Sequence, residues 1–342
     1  MSAPHPRENA GLSGQEAAER VMADAAASGR MHHAWLITGP QGVGKATLAY
    51  RFARYVLAGQ VQAGASAGAG LAMDPSHPVF RRVAAGTHAD LLTVEREWDD
   101  KKKKLRGEIV IETVRGVAAF LRLTPAEGGW RVVIVDGAED INRNAANALL
   151  KVLEEPPPRT ILLLVCAAAG RLLPTIRSRC RRLRLATLEP ATLDTLAARY
   201  LPELGADVRA RLACLADGSI GRLLQLAGGG GIPAAELVGR IVAAMPRPGI
   251  GLAYEIADAL GRQEDAFSTF MDLLRAAVSA AVRETARGGP GAGHAQLLGA
   301  RPLDAWVEIW QGLGALQIET EDLYLDRRQA IANTVALLAG QP

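Results

Sequence analysis

The chain has 342 residues, 49% hydrophobic and 22% charged, which is enough for two or three folded domains and excludes a largely disordered protein. Its formal net charge of +3 is close to balance, so charge alone gives no argument for nucleic acid or an anionic membrane, and local basic clusters matter more than the sum. Cys166, Cys180 and Cys214 are widely spaced with no Cys-x-x-Cys pairing, which argues against both zinc and disulfides.

The opening stretch is polar, with Pro4, Pro6, Arg7 and Glu8, and lacks the apolar core of a signal sequence. No run approaches the ~20 apolar residues needed to span a bilayer. The expectation is a cytoplasmic protein with no membrane association. Gln15 to Ala27 has the spacing of a helix closed by Ser28-Gly29. His32 and His33 are adjacent as the chain enters a strand, so they point to opposite faces and read as an element boundary rather than as metal ligands.

Trp35, Leu36 and Ile37 form a short apolar strand ahead of Gly39-Pro40-Gln41-Gly42-Val43-Gly44-Lys45-Ala46-Thr47. Strand, glycine-rich turn and helix in that order make a phosphate cradle. The glycines let the backbone aim N–H groups inward, and Lys45 supplies charge for the terminal phosphates. The position after the lysine, which in a P-loop bears the Mg²⁺-binding hydroxyl, is Ala46. Thr47 is rotated ~100° further around the helix. The loop is therefore suited to holding a nucleotide and poorly suited to hydrolysing one; a purely structural turn is the alternative. Thr47 to Leu57 reads as the helix that follows.

Residues 58 to 72 are low-complexity Ala, Gly and Gln and read as a mobile loop. Asp90 to Val94 reads as a second strand. Glu95 to Arg106, with Asp99-Asp100 beside Lys101 to Lys104, reads as a solvated hairpin tip, with DNA contact as the alternative. Thr113 to Leu123 reads as a helix ending before Pro125. Val132 to Val135 is a β-branched run ending in Asp136, the pattern of a buried parallel strand with a carboxylate at its carboxyl end, where ligands sit in such sheets. Asn144 to Glu155 is a helix with Ala146, Leu149, Leu150 and Leu153 on its apolar face, stopped by Pro156-Pro157-Pro158. Ile161 to Cys166 is another buried strand. This alternation demands a parallel α/β sheet. From about Leu188 short helices take over, the glycines at 228 to 231 read as a linker, and helices are expected over Ala234 to Ala244, Leu252 to Leu260, Glu264 to Arg287, Leu303 to Leu316 and Leu323 to Leu338. Amphipathic helices without a catalytic constellation mean packing, internal or against a partner.

Gly39 to Thr47, the strand ending in Asp136, Asn147-Ala148-Leu149-Leu150-Lys151-Val152-Leu153-Glu154-Glu155-Pro156-Pro157 and Ser178-Arg179-Cys180 together resemble the bacterial clamp-loader subunits of the AAA+ class. The last two motifs are the most specific. The resemblance implies an α/β P-loop (AAA+) domain with a parallel sheet over 1–187, a small helical lid over 188–230 and an all-α C-terminal collar over 231–342. It implies ATP or ADP at Gly39, Pro40, Gly42, Gly44, Lys45, Ala46, Thr47 and Asp136. It also implies a hetero-oligomer with tau or gamma and delta subunits, acting on a sliding clamp and primed DNA. The family's zinc module has no counterpart, since residues 58 to 88 hold no cysteine.

The chain departs from the family's motor subunits at four places. Ala46 replaces the hydroxyl. Gly137 stands where a glutamate polarises water. Cys166 to Ala169 offer no Thr or Asn to sense the γ-phosphate. In Gly218-Ser219-Ile220-Gly221-Arg222 the lid arginine is displaced by one position. All four lie on the Mg²⁺, water and γ-phosphate side, so the resemblance implies a subunit with little turnover of its own. By the same resemblance Arg179 points into a neighbour's nucleotide site, a task that suits an always-charged, forked guanidinium. Arg177, Arg181 and Arg182 are left to the surface or to DNA, and DNA contact is also the alternative for Arg179. The rival readings are a self-sufficient motor subunit using Thr47 and Glu139 in adapted roles, and a stand-alone nucleotide switch.

Overall fold

The computed structural model describes residues 4–29, 31–60, 70–99, 104–127, 129–228, 230–261, 266–286, 297–298, 301–323 and 325–340. Parts of the expected loop at 58 to 72, of the Lys101 to Lys104 run, of the glycine tract and of the Glu264 to Arg287 helix lie outside the described residues. The chain forms two compact units, Met1–Tyr200 with Gly218–Gly221, and Leu201–Asp217 with Arg222–Pro342.

The first unit is built on five parallel strands: β1 Ala34–Thr38, β2 Leu91–Val94, β5 Arg131–Asp136, β6 Thr160–Cys166 and β7 Arg181–Arg184. Their order across the sheet is β2-β5-β6-β1-β7. β3 Trp98–Asp99 and β4 Lys104–Leu105 form a separate antiparallel hairpin where the charge run predicts one. Period-two alternation divides the central strands between two cores. Trp35, Ile37, Val132, Ile134, Ile161, Leu163 and Val165 face α1 Glu16–Ala27, α2 Lys45–Leu57 and α3 Pro78–Ala84. Ala34, Leu36, Val133, Val135, Leu162, Leu164 and Cys166 face α4 Ile111–Arg122 and α5 Arg143–Glu154. Each fully buried Leu, Ile or Val contributes about 1.5–3 kcal/mol, and with helices on both faces the central strands bury residues on both sides. A short helix, α6 Pro174–Arg179, precedes β7, and α7 Pro190–Tyr200 closes the unit.

Several expectations are corrected. α3 lies in a stretch for which no element was expected; His77 caps it, accepting from the Val79 N–H, and Pro78 takes the first helical position. β7 is a strand where only a basic surface was read, because its arginines are exposed at a sheet edge and Leu183 alone points inward. Arg181 stacks its guanidinium 4.6 Å from the Trp35 ring. The buried face of α5 is Ala145, Ala146, Leu149, Val152 and Leu153, with Leu150 only half-buried. At the glycine tract, α9 Ile220–Gly228 runs to Gly228, Gly230 adopts a left-handed conformation, and Gly231 already opens α10 Gly231–Ala244. A Cβ on Gly231 would lie 2.4 Å from the Leu226 carbonyl oxygen, so this is a packed helix junction rather than an extended linker.

The second unit is helical in its described residues: α8 Ala206–Ala216, α9 after Gly221, α10, α11 Ile250–Leu260, α12 Ala266–Ala286, α13 Leu303–Asp322 and α14 Arg327–Ala339. α10 packs on α12, α11 on α14, and α12 and α14 on α13. Buried Phe270, Met271, Leu274, Trp306, Leu313 and Val335 fill its centre, and the Trp306 indole donates to the Leu298 carbonyl at 3.0 Å. α13 is longer than its expected limit of Leu316, ending at Asp322, and α14 starts later, with Asp326 as its side-chain cap.

Candidate functional site

Gly39, Gly42 and Gly44 have φ of 146°, 76° and 101°, the left-handed side of backbone space that glycine reaches without penalty. Gly44 has no side chain to cap α2, which leaves the first-turn N–H groups of that helix directed into the loop. Lys45 is buried and donates from Nζ to the Pro40 carbonyl at 2.6 Å. Ala46 is half-buried and packs against the apolar cluster beside α2, and Thr47 is buried.

The loop is fastened from outside through its carbonyls. Ser219 Oγ donates to the Gln41 carbonyl at 2.8 Å, and the Gly221 N–H to the Gly42 carbonyl at 3.0 Å. Gln15 Nε2 donates to the Val43 and Ala186 carbonyls at 3.3 and 2.9 Å. A Cβ on Gly221 would lie 2.7 Å from Gly42 Cα, so only glycine permits this approach. Gln15 and Gly221 are contributors that sequence reasoning did not assign to the loop. The Gly-Ser at 218–219 marked the region but not its two bonds.

Asp136 ends β5, as expected, opposite Val165 in the parallel register. Burial, and then the Glu95 carboxylate, push its carboxyl above the ordinary range against the pull of Lys45. Gly137 is left-handed and leads into the short turn Ala138–Asp140. From that turn Glu139 reaches across to β6, where its Oε1 accepts the Ala167 N–H at 2.9 Å. Burial, with Glu139 adding to it, raises the Cys166 thiol to about 12, so it is a neutral apolar group at the strand end. Lys45 is lowered by burial, opposed by Glu139 first and Asp136 second. The structure thus brings Lys45, Asp136 and Glu139 together at one sheet edge. The loop fits a phosphate chain by its N–H groups and lysine, but the Ala46 side presents no hydroxyl for Mg²⁺.

Arg179 stands apart from this loop, at the end of α6. Its Nη2 lies 2.7 Å from Glu154 Oε1 and its Nη1 donates to the Thr175 carbonyl at 3.0 Å. The two highly specific sequence motifs therefore meet in one exposed ion pair. Among the described residues no group of His, Cys, Asp and Glu is arranged to hold a metal ion, and no helix is long and apolar enough to cross a membrane.

A family model described as DNA polymerase III, delta subunit, matches residues 14–189, just over half of the chain, spanning the loop, Asp136 and Arg179. The chain belongs to the DNA polymerase III delta-subunit family. Within the family it is similar to the delta prime subunit of Pseudomonas aeruginosa, 37% identical over 187 residues, 55% of this chain and 53% of that protein. It is also similar to the Escherichia coli delta prime subunit, 38% identical over 154 residues, 45% of this chain and 42% of that protein. The tau subunit of Escherichia coli is 30% identical over 186 residues, 54% of this chain and 26% of that protein. The chain thus spans about half the length of the delta prime relatives it matches, and the family model covers the sheet and loop rather than the helical unit.

Proposed function

We propose that the chain is a delta prime-like subunit of a DNA polymerase III clamp loader, taking part in ATP-dependent loading of a sliding clamp onto primed DNA. The observation that carries this reading is the 37–38% identity to delta prime subunits over 187 and 154 residues, together with a family match over residues 14–189 that spans the loop and Arg179. The subunit's own ATP site is degenerate: Ala46 provides no Mg²⁺ ligand, Gly137 no water-activating carboxylate, and Cys166 a buried thiol in place of a phosphate sensor. Arg179 is supplied in trans to a neighbouring ATPase subunit, a role supported by its partial exposure at a helix end. Arg177 and Arg182 belong to the surrounding basic surface, whereas stacking on Trp35 supports a packing role for Arg181. The division 1–187, 188–230 and 231–342 into P-loop domain, lid and collar belongs to the same reading, with tau or gamma and delta subunits as partners in a hetero-oligomer.

The test is reconstitution with tau or gamma and delta subunits of one bacterium. Co-elution as a complex that loads clamp onto primed DNA, with no ATP turnover by the isolated chain, is the expected result. Mg²⁺-dependent turnover by the chain alone, abolished in Lys45→Ala, would overturn the degenerate-site reading in favour of a tau/gamma-like motor. Failure to co-assemble would overturn the clamp-loader reading.

A further inference from the structure

The mechanism above leaves Glu139 without a task, although it is held firmly in the candidate site. β1, β6 and β5 are neighbours in register, Thr38 beside Cys166 and Asp136 beside Val165, so their carboxyl ends form one edge at the loop. Glu139 spans that edge. Its Oε1 takes the N–H of Ala167, the first residue beyond β6. Its Oε2 is buried and meets no N–H or O–H donor; the neutral Cys166 thiol is the polar group beside the carboxylate. Of the charged groups acting on the Lys45 ammonium, Glu139 is the strongest, ahead of Asp136.

A P-loop lysine reaches the β- and γ-phosphates. A fixed carboxylate in the field of that ammonium therefore lies toward the terminal end of the phosphate chain. Carboxylates are tolerated there when a bound Mg²⁺ offsets them, but the loop lacks the hydroxyl that would help hold the metal. The positive-φ glycines and the α2 first turn, which would cradle the inner phosphates, are intact.

We infer that Glu139 sets the phosphate-chain length this loop accepts: its carboxylate stands in for a terminal phosphate, so the loop holds a nucleoside diphosphate and rejects the Mg²⁺-triphosphate. This rests on reading Gly39 to Thr47 as a nucleotide loop. Two carboxylates against one ammonium leave the third phosphate facing net like charge. The loss for triphosphate relative to diphosphate is on the order of 10-fold or more.

Titration calorimetry of the full chain with ADP and with ATP, each with Mg²⁺, tests it directly. Wild type should bind ADP about 10-fold or more tighter than ATP. Glu139→Gln keeps an oxygen for the Ala167 N–H while removing the charge. It should close most of that gap by tightening ATP and leave ADP little changed. Lys45→Ala should weaken both. Equal affinities in wild type, an unchanged ratio in Glu139→Gln, or no binding of either nucleotide would each overturn the inference. The wild-type ratio requires no variant to fold. None of these results bears on assembly with partner subunits, so failure here and failure of the clamp-loader reading are separate outcomes.

Discussion

Arg179→Ala separates a residue that serves a neighbour from one that stabilises its own fold. In the chain itself Arg179 makes one ion pair with Glu154, with side chains 36% and 48% exposed, and one bond to the Thr175 carbonyl. Exposed pairs contribute about 0–1 kcal/mol. For a unit of this size that shifts the melting temperature by no more than ~2–4 °C. An arginine supplied in trans to a phosphoryl transfer is worth ~10³–10⁵ in rate, or about 4–7 kcal/mol. The gap between these magnitudes is wide enough for one variant to decide. Reconstituted loader carrying Arg179→Ala should assemble and melt nearly normally, yet lose ATP hydrolysis measured without DNA. Arg179→Lys should restore little, because a point charge does not reproduce the bidentate fork. Glu154→Gln, which removes the carboxylate that competes for the guanidinium, should raise hydrolysis by at most ~5-fold, the equivalent of the same ~1 kcal/mol. Unchanged DNA-free hydrolysis in Arg179→Ala would refute the reasoning. A defect seen only with DNA, and growing with salt, would place Arg179 on a DNA-binding surface instead.

Two further outcomes follow from buried geometry. His88 is buried, its Nδ1 accepts the Asp90 N–H at 3.2 Å, and burial lowers its pKa below 6.5. The unfolded chain then binds more protons as pH falls through and below ~6.5, so stability should drop on acidification from neutral pH. Thermal melts across this range should show a shallower slope for His88→Asn, which keeps an acceptor but does not titrate; an identical slope would remove His88 from the account. Gly39 has a φ of 146°, and a Cβ there would sit 2.5 Å from the Leu185 carbonyl oxygen. Gly39→Ala should therefore destabilise by ~1–3 kcal/mol in urea unfolding, and an unchanged midpoint would show that the loop accommodates a side chain.

The elements legible in sequence were those whose local pattern and tertiary burial agree. Val132 to Val135 is β-branched and buried on both faces, and the glycines of the loop have the backbone angles their spacing requires. β7 escaped because an edge strand needs only one inward side chain, Leu183, and its three arginines look like surface. α3 escaped although His77-Pro78 with Val79, Phe80 and Val83 is a readable start and apolar face, because at Pro78–Ala84 it is barely two turns long and shows too little of a helical period. In the site, residue types were legible but partners were not. Glu139 meets Ala167 across 28 residues, and Arg179 meets Glu154 only because α5 and α6 pack together. Nothing local in either segment encodes those encounters.

The bond from Ser219 to the Gln41 carbonyl joins residues 178 positions apart. A nascent chain extended at ~5–20 residues per second needs roughly 10–40 s between making the loop and making its fastener. Over that interval the Gln41 and Gly42 carbonyls face water, and β1 waits for β7 as well, since Leu183 pairs with Ile37. Non-local closure of this kind is slow to form. The glycine loop, although encoded early, is thus among the last parts of the first unit to reach its final shape, and a ribosome-stalled fragment ending before Gly218 would present it half-finished.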